Sequence, residues 1–115
     1  MKKKIIAVDF DGTLVTDKYP NIGEPIWETI NWCKEQKQFG HTLILWTCRT
    51  GVELQSAIEF CDCTLNLHFD YVNCNTIENI MAHNGRDTRK IYADIYLDDK
   101  SMRNIDITKE RKIWI

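Results

Sequence analysis

The chain has 115 residues, room for one domain and little more. Its 43% hydrophobic and 28% charged content excludes a disordered chain and fits an ordinary globular protein. A net charge of -2 gives no strong field for nucleic acid or anionic membrane, and the longest apolar run is far too short to cross a bilayer.

Met1-Lys2-Lys3-Lys4 imitates the start of a secretory signal. The apolar run behind it, Ile5-Ile6-Ala7-Val8, stops at Asp9, so no signal core forms and a cytoplasmic location is expected. The five cysteines, Cys33, Cys48, Cys61, Cys63 and Cys74, include no Cys-x-x-Cys pair, and free thiols in a reducing compartment are expected. His41, His68 and His83 are scattered without metal-ligand spacing.

Lys4 to Val8 is apolar and β-branched, a strand buried on both faces. Asp9 to Gly23 is polar and turn-rich, and within it Leu14 to Gly23 reads as a short flap. Pro25 suits the first position of a helix running to about Gln38, with Ile26, Ile30 and Cys33 on its apolar face and Gly40 as its stop. Thr42 to Trp46 is a second buried strand, and Thr47 to Gly51 a loop. Val52 to Cys61 is a second helix with Leu54, Ala57, Ile58 and Cys61 inward. A short third strand is expected within Phe69 to Asn73, a short helix over Thr76 to Ala82, and a fourth strand over Ala93 to Leu97. A last strand is expected near Lys112 to Ile115, with Ile105 to Ile107 competing for that role. The four tryptophans are expected mainly in the core.

This alternation predicts an α/β fold with a mainly parallel sheet of five strands, whose sites form at the carboxyl ends of the strands. Asp9 and Asp11 follow the first strand, Thr47 the second, and Asp98 and Asp99 the fourth. Four carboxylates converging on one edge repel unless a hard divalent cation joins them, and magnesium favours such oxygen ligands. A carboxylate can attack phosphorus to give an aspartyl-phosphate, a second acid/base can serve the leaving group and then water, and the Thr47 hydroxyl can reach a phosphoryl oxygen. Arg49 reads equally as a grip on a substrate phosphate or carboxylate and as a structural arginine.

These residues carry a resemblance. Ile5 to Leu14 matches a strand followed by Asp-x-Asp-x-Thr, Leu43 to Thr47 a strand ending in Thr, Lys90 a lysine before the last motif, and Ile95 to Asp99 a strand ending in paired acids. In that order the chain resembles the haloacid dehalogenase (HAD) superfamily over nearly its whole length. The resemblance implies a single core domain over residues 1–115 with a three-layer α/β/α Rossmann-like fold, and a phosphomonoester hydrolase using Mg2+. It implies Asp9 as nucleophile, Asp11 as general acid/base, and Thr47 and Lys90 as catalytic partners. Gly12, Thr13, Thr47 and Arg49 would lie against the substrate. Asp9, Asp11, through its carbonyl, Asp98 and Asp99 would hold the metal.

Neither Leu14 to Gly23 nor Asn75 to Arg89 has the length, on the order of 50 residues, of a folded cap. A capless member with an open site is expected, acting on a phosphorylated small molecule or polymer end, including a polynucleotide end or nucleotide, with closure by a second copy in a homo-oligomer as an option and no membrane partner. A receiver-like phosphorylated switch is disfavoured, because its acidic pair comes early and its Thr and Lys late. A catalytically silent domain that binds metal or a partner is disfavoured by the presence of both Asp9 and Asp11.

Overall fold

A computed structural model of the chain describes residues 2–98. The expected last strand at 112–115, its competitor at 105–107, and Asp99 lie outside the described residues.

Strand β1, Ile5–Val8, leads into a hairpin of β2, Val15–Lys18, and β3, Asn21–Pro25. Helix α1, Trp27–Gln38, precedes β4, Thr42–Leu45. Helix α2, Gly51–Glu59, continues as a π-helical turn, Phe60–Leu65. Strand β5, Tyr71–Val72, helix α3, Ile77–Ala82, and strand β6, Ile95–Leu97, complete the described chain. Among the described residues no helix is long and apolar enough to cross a membrane.

The architecture is mixed α/β. Among the described residues four strands form a parallel sheet in the order β5-β4-β1-β6, and the hairpin is a separate two-stranded antiparallel sheet. Every residue of β4 and three of four in β1 are buried, as continuous apolar runs require of central parallel strands. Side chains alternate across the sheet. Ile6, Val8, Leu43 and Leu45 share one large core with Ile30 and Cys33 of α1 and Ala57 of α2. Ala7 and Ile44 point the other way, into a smaller cluster with Ala93. Both longer helices thus cover the same face.

Three boundaries differ from expectation, each for a local reason. Pro25 ends β3 opposite Val15 rather than starting α1. The Ile26 N–H donates to the Leu14 carbonyl at 2.8 Å, which keeps the chain extended for one more residue, and proline is tolerated at such a sheet edge. The segment expected as a flap is an ordered hairpin. The helix expected to end at Cys61 widens into the π turn and closes at Asn66, whose φ of 53° is left-handed. Gly40, with φ of 89°, follows the end of α1, where the His41 N–H closes onto the Gln36 carbonyl at 3.1 Å.

Gly23 is buried in the hairpin, and a Cβ there would run into the carbonyl and hydroxyl oxygens of Thr16. Gly23→Ala should lower stability by about 1–3 kcal/mol, the usual cost of overpacking. Urea unfolding checks this, and a midpoint equal to that of the wild type would contradict it.

Candidate active site

From β1 the chain runs outward to β4 and β5, then returns to β6 on the other side of β1. Such a reversal leaves a crevice at the carboxyl end of the central strand. Asp9 is the first residue beyond β1, and its N–H donates to the Leu97 carbonyl at 2.9 Å. Val8 is in register with both Leu45 and Leu97, so the chain leaves the sheet at Trp46 and Asp98 on either side of Asp9.

The next residues fold on themselves. The Asp9 carboxylate accepts from the Phe10 N–H at 2.8 Å, and the Phe10 carbonyl accepts from the N–H groups of Thr13, Leu14 and Val15. The turn needs Gly12, whose φ of 84° is costly for any residue with a Cβ. Thr13 is fully buried beneath the turn, and its Oγ1 has no protein partner. Across the crevice, the Thr47 N–H donates to Asn73 Oδ1 at 2.8 Å, and Thr47 Oγ1 accepts from the Arg49 N–H at 3.1 Å.

A cleft of about 470 Å³ opens here. Asp9 and Asp11 line it from the first loop, Thr47, Cys48 and Arg49 from the loop after β4, and Asp17 and Tyr19 from the hairpin.

Arg49 organises this region. Its side chain is 1% exposed. Nε donates to Asp11 Oδ2 at 2.8 Å and Nη2 to Asp11 Oδ1 at 2.7 Å, a bidentate ion pair. Nη2 also donates to the Asn21 carbonyl at 2.9 Å, and Nη1 to the carbonyls of Pro20 at 3.1 Å and Glu53 at 3.4 Å. These are five bonds for the five N–H donors of a guanidinium. The rings of Phe10 and Tyr19 each lie 5.0 Å from the guanidinium carbon. The hydrogen bond to Asp11 raises the pKa of Arg49 against the opposing effect of burial, so the group stays charged.

The residues expected at the site divide into groups. Asp9, Asp11, Thr47 and Arg49 meet in one cleft. Gly12 and Thr13 shape the loop beneath it and are not part of its lining. Lys90 is exposed and also lies outside the lining, and it is the Lys90 carbonyl, not the ammonium, that is tied inward. Asp98 is half-buried at the end of β6 beside Asp9, and Asp99 lies outside the described residues. Among the described residues no three His, Cys, Asp or Glu side chains form a group suited to a metal.

Asp17, Tyr19 and Cys48 line the cleft without having been singled out in the sequence. Nor was Asn75, which is 3% exposed. Its Nδ2 donates to Asp87, Thr88 and Lys90, and its Oδ1 accepts from the Tyr92 N–H at 2.7 Å, fixing the segment that enters β6. No sequence signal marks such an amide, because its partners are mostly backbone.

The chain is thus an α/β protein with a polar cleft at the carboxyl edge of a parallel sheet. It is similar to a conserved protein coded by a locus of Bacteroides thetaiotaomicron, whose solved structure matches with a TM-score of 0.78 and 38% sequence identity over 96% of this chain and 93% of that one. It belongs to the family of that conserved protein. No family model matches the chain, and no curated protein does.

The thiols offer a check on the burial pattern. Burial foremost pushes the Cys33 thiol far up, and pushes Cys61 up to about 12, so both stay protonated near neutral pH. Cys48 and Cys63 are exposed. A thiol reagent at neutral pH should modify Cys48 and Cys63 rapidly, and Cys33 and Cys61 only after unfolding. Mass spectrometry of labelled peptides reads this directly, and rapid labelling of Cys33 would refute the packing of α1.

Proposed function

We propose that the chain is a magnesium-dependent phosphomonoester hydrolase of the HAD type, acting through an aspartyl-phosphate on Asp9. The observation that carries this reading is the position of Asp9. It ends the central strand at the topological reversal, in a cleft with Asp11 and Thr47 and beside the strand end that bears Asp98. The reading brings with it a three-layer Rossmann-like core with a fifth strand and no cap.

In the first step an Asp9 oxygen attacks phosphorus, the bond to the leaving oxygen breaks, and that oxygen takes a proton supplied through Asp11. In the second step water attacks the aspartyl-phosphate, its proton passes to Asp11, and phosphate leaves with Asp9 restored. Thr47 has its Oγ1 fixed by the Arg49 N–H, which leaves the hydroxyl proton for a phosphoryl oxygen.

The donor set suits magnesium. Asp9 and Asp98 leave neighbouring strand ends, their carboxylate oxygens are hard donors, and with the Asp11 carbonyl they would hold the ion. Bound there, magnesium supplies charge neutralisation for the phosphoryl oxygens. With the Asp11 carboxylate paired to Arg49, its carbonyl would be the donor to the metal.

The cleft volume bears on the substrate. About 470 Å³ lies within the range of small-molecule sites, roughly 300–1,000 Å³, room enough for a small phosphomonoester.

With p-nitrophenyl phosphate and magnesium, the wild type should turn over, and Asp9→Asn should lose about 10²-fold or more of kcat, as loss of a nucleophile implies. Equal turnover by the two proteins sinks the mechanism. Asp98→Asn should raise the magnesium concentration needed for half-maximal activity about tenfold or more, the scale of losing one charged ligand. An unchanged metal titration removes Asp98 from the site.

A further inference from the structure

We propose that Arg49 is a positioning residue that acts through Asp11, holding its carboxylate as the base for aspartyl-phosphate hydrolysis, rather than a grip on the substrate phosphate. The proposal rests on the phosphatase reading above and adds a residue to it.

Every N–H of the guanidinium already has a protein acceptor, so none is left over for a phosphoryl oxygen. The bidentate pair fixes the plane of the Asp11 carboxyl group, and each oxygen keeps lone-pair capacity beyond the one bond it accepts. The Asp11 side chain remains 19% exposed and lines the cleft, so that capacity opens toward water. In the second step the water oxygen bonds to phosphorus, the bond from phosphorus to Asp9 breaks, and the water proton goes to an Asp11 oxygen.

The same guanidinium holds the carbonyls of Pro20 and Asn21 at the tip of the β2–β3 hairpin. The placement of the hairpin and the aim of the Asp11 carboxyl group are therefore coupled through one side chain. The rings of Phe10 and Tyr19, each 5.0 Å from the guanidinium carbon, add cation–π contacts to the same group.

The test separates the two steps. For p-nitrophenyl phosphate, kcat/KM reports events up to aspartyl-phosphate formation, whereas kcat includes its hydrolysis. In Arg49→Lys the bidentate geometry is lost while charge is kept. We expect kcat to fall about tenfold or more, the scale of a misplaced general base, and KM to fall with it, leaving kcat/KM within about threefold. A pre-steady-state burst of about one nitrophenolate per enzyme should appear, and acid-quenched phosphoenzyme should accumulate. Inhibition by inorganic phosphate should be unchanged. In an Asp11→Asn background the Arg49→Lys change should add little, because two residues acting through one another are not additive.

A raised KM with weakened phosphate inhibition would show that Arg49 grips the substrate and overturn the proposal. So would an unchanged kcat without a burst, or full additivity with Asp11→Asn. Arg49→Gln serves as a second variant, and circular dichroism establishes that the variant being assayed is folded. Asp11→Asn alone leaves Arg49 in place and should reproduce the burst, so its absence there also counts against the proposal. Wild type without turnover defeats the phosphatase reading itself, an outcome distinct from all of these.

Discussion

A guanidinium taken out of water must find acceptors for five N–H donors, and the chain around Arg49 supplies all five. Its counter-charge is Asp11, on the loop that follows β1. The remaining acceptors are backbone carbonyls on the hairpin and on α2. Removing one member of such a buried pair commonly costs about 3–5 kcal/mol, since the other is left charged and unpaired. The loop after β1, the tip of the hairpin and the start of α2 are therefore held to one another by one side chain, and the cleft opens beside it.

The sheet sets where that space can be. β1 lies between β4 and β6, and its burial follows from a run with no polar residue until Asp9. The other end of the sheet is closed by different carboxylates. Asp94 Oδ2 accepts from the Ile5 N–H at 2.8 Å, and Asp70 Oδ2 from the Leu43 N–H at 2.9 Å. The acids at the entry of the strands each bind a backbone N–H of the neighbouring strand, whereas Asp9 and Asp11, at the exit, line a cleft. Position along the strand, more than residue type, separates the structural acids from the candidate catalytic ones.

Much of this was legible in the sequence because it depends on short-range pattern. Continuous apolar runs marked β1 and β4, and Gly40 marked the end of α1. The order of Asp9, Asp11 and Thr47 at strand ends anticipated that they share a cleft. The hairpin was not legible: Thr16, Asp17 and Lys18 are exposed, so β2 lacks the alternation that reveals a half-buried strand. The bonding of Arg49 was illegible for another reason. Three of its five acceptors are main-chain carbonyls, which leave no trace in residue identity. Lys90 shows the limit of motif order, since its place before β6 says nothing of where its ammonium points.

Those carbonyls have a consequence for how such a protein can diversify. A carbonyl acceptor is offered by whatever residue occupies the position. The tip of the hairpin is thus anchored by its main chain, and the side chains it carries toward the cleft, Asp17 and Tyr19, are not part of the tether's hydrogen bonds. The wall of the cleft can be rewritten by substitution in the hairpin while its attachment to the sheet is kept. Within the eleven residues from Val15 to Pro25 the anchoring hydrogen bonds belong to the main chain, and of the two side chains facing the cleft Tyr19 also touches the anchoring guanidinium, which leaves Asp17 as the position where the cleft wall can change without touching the anchor.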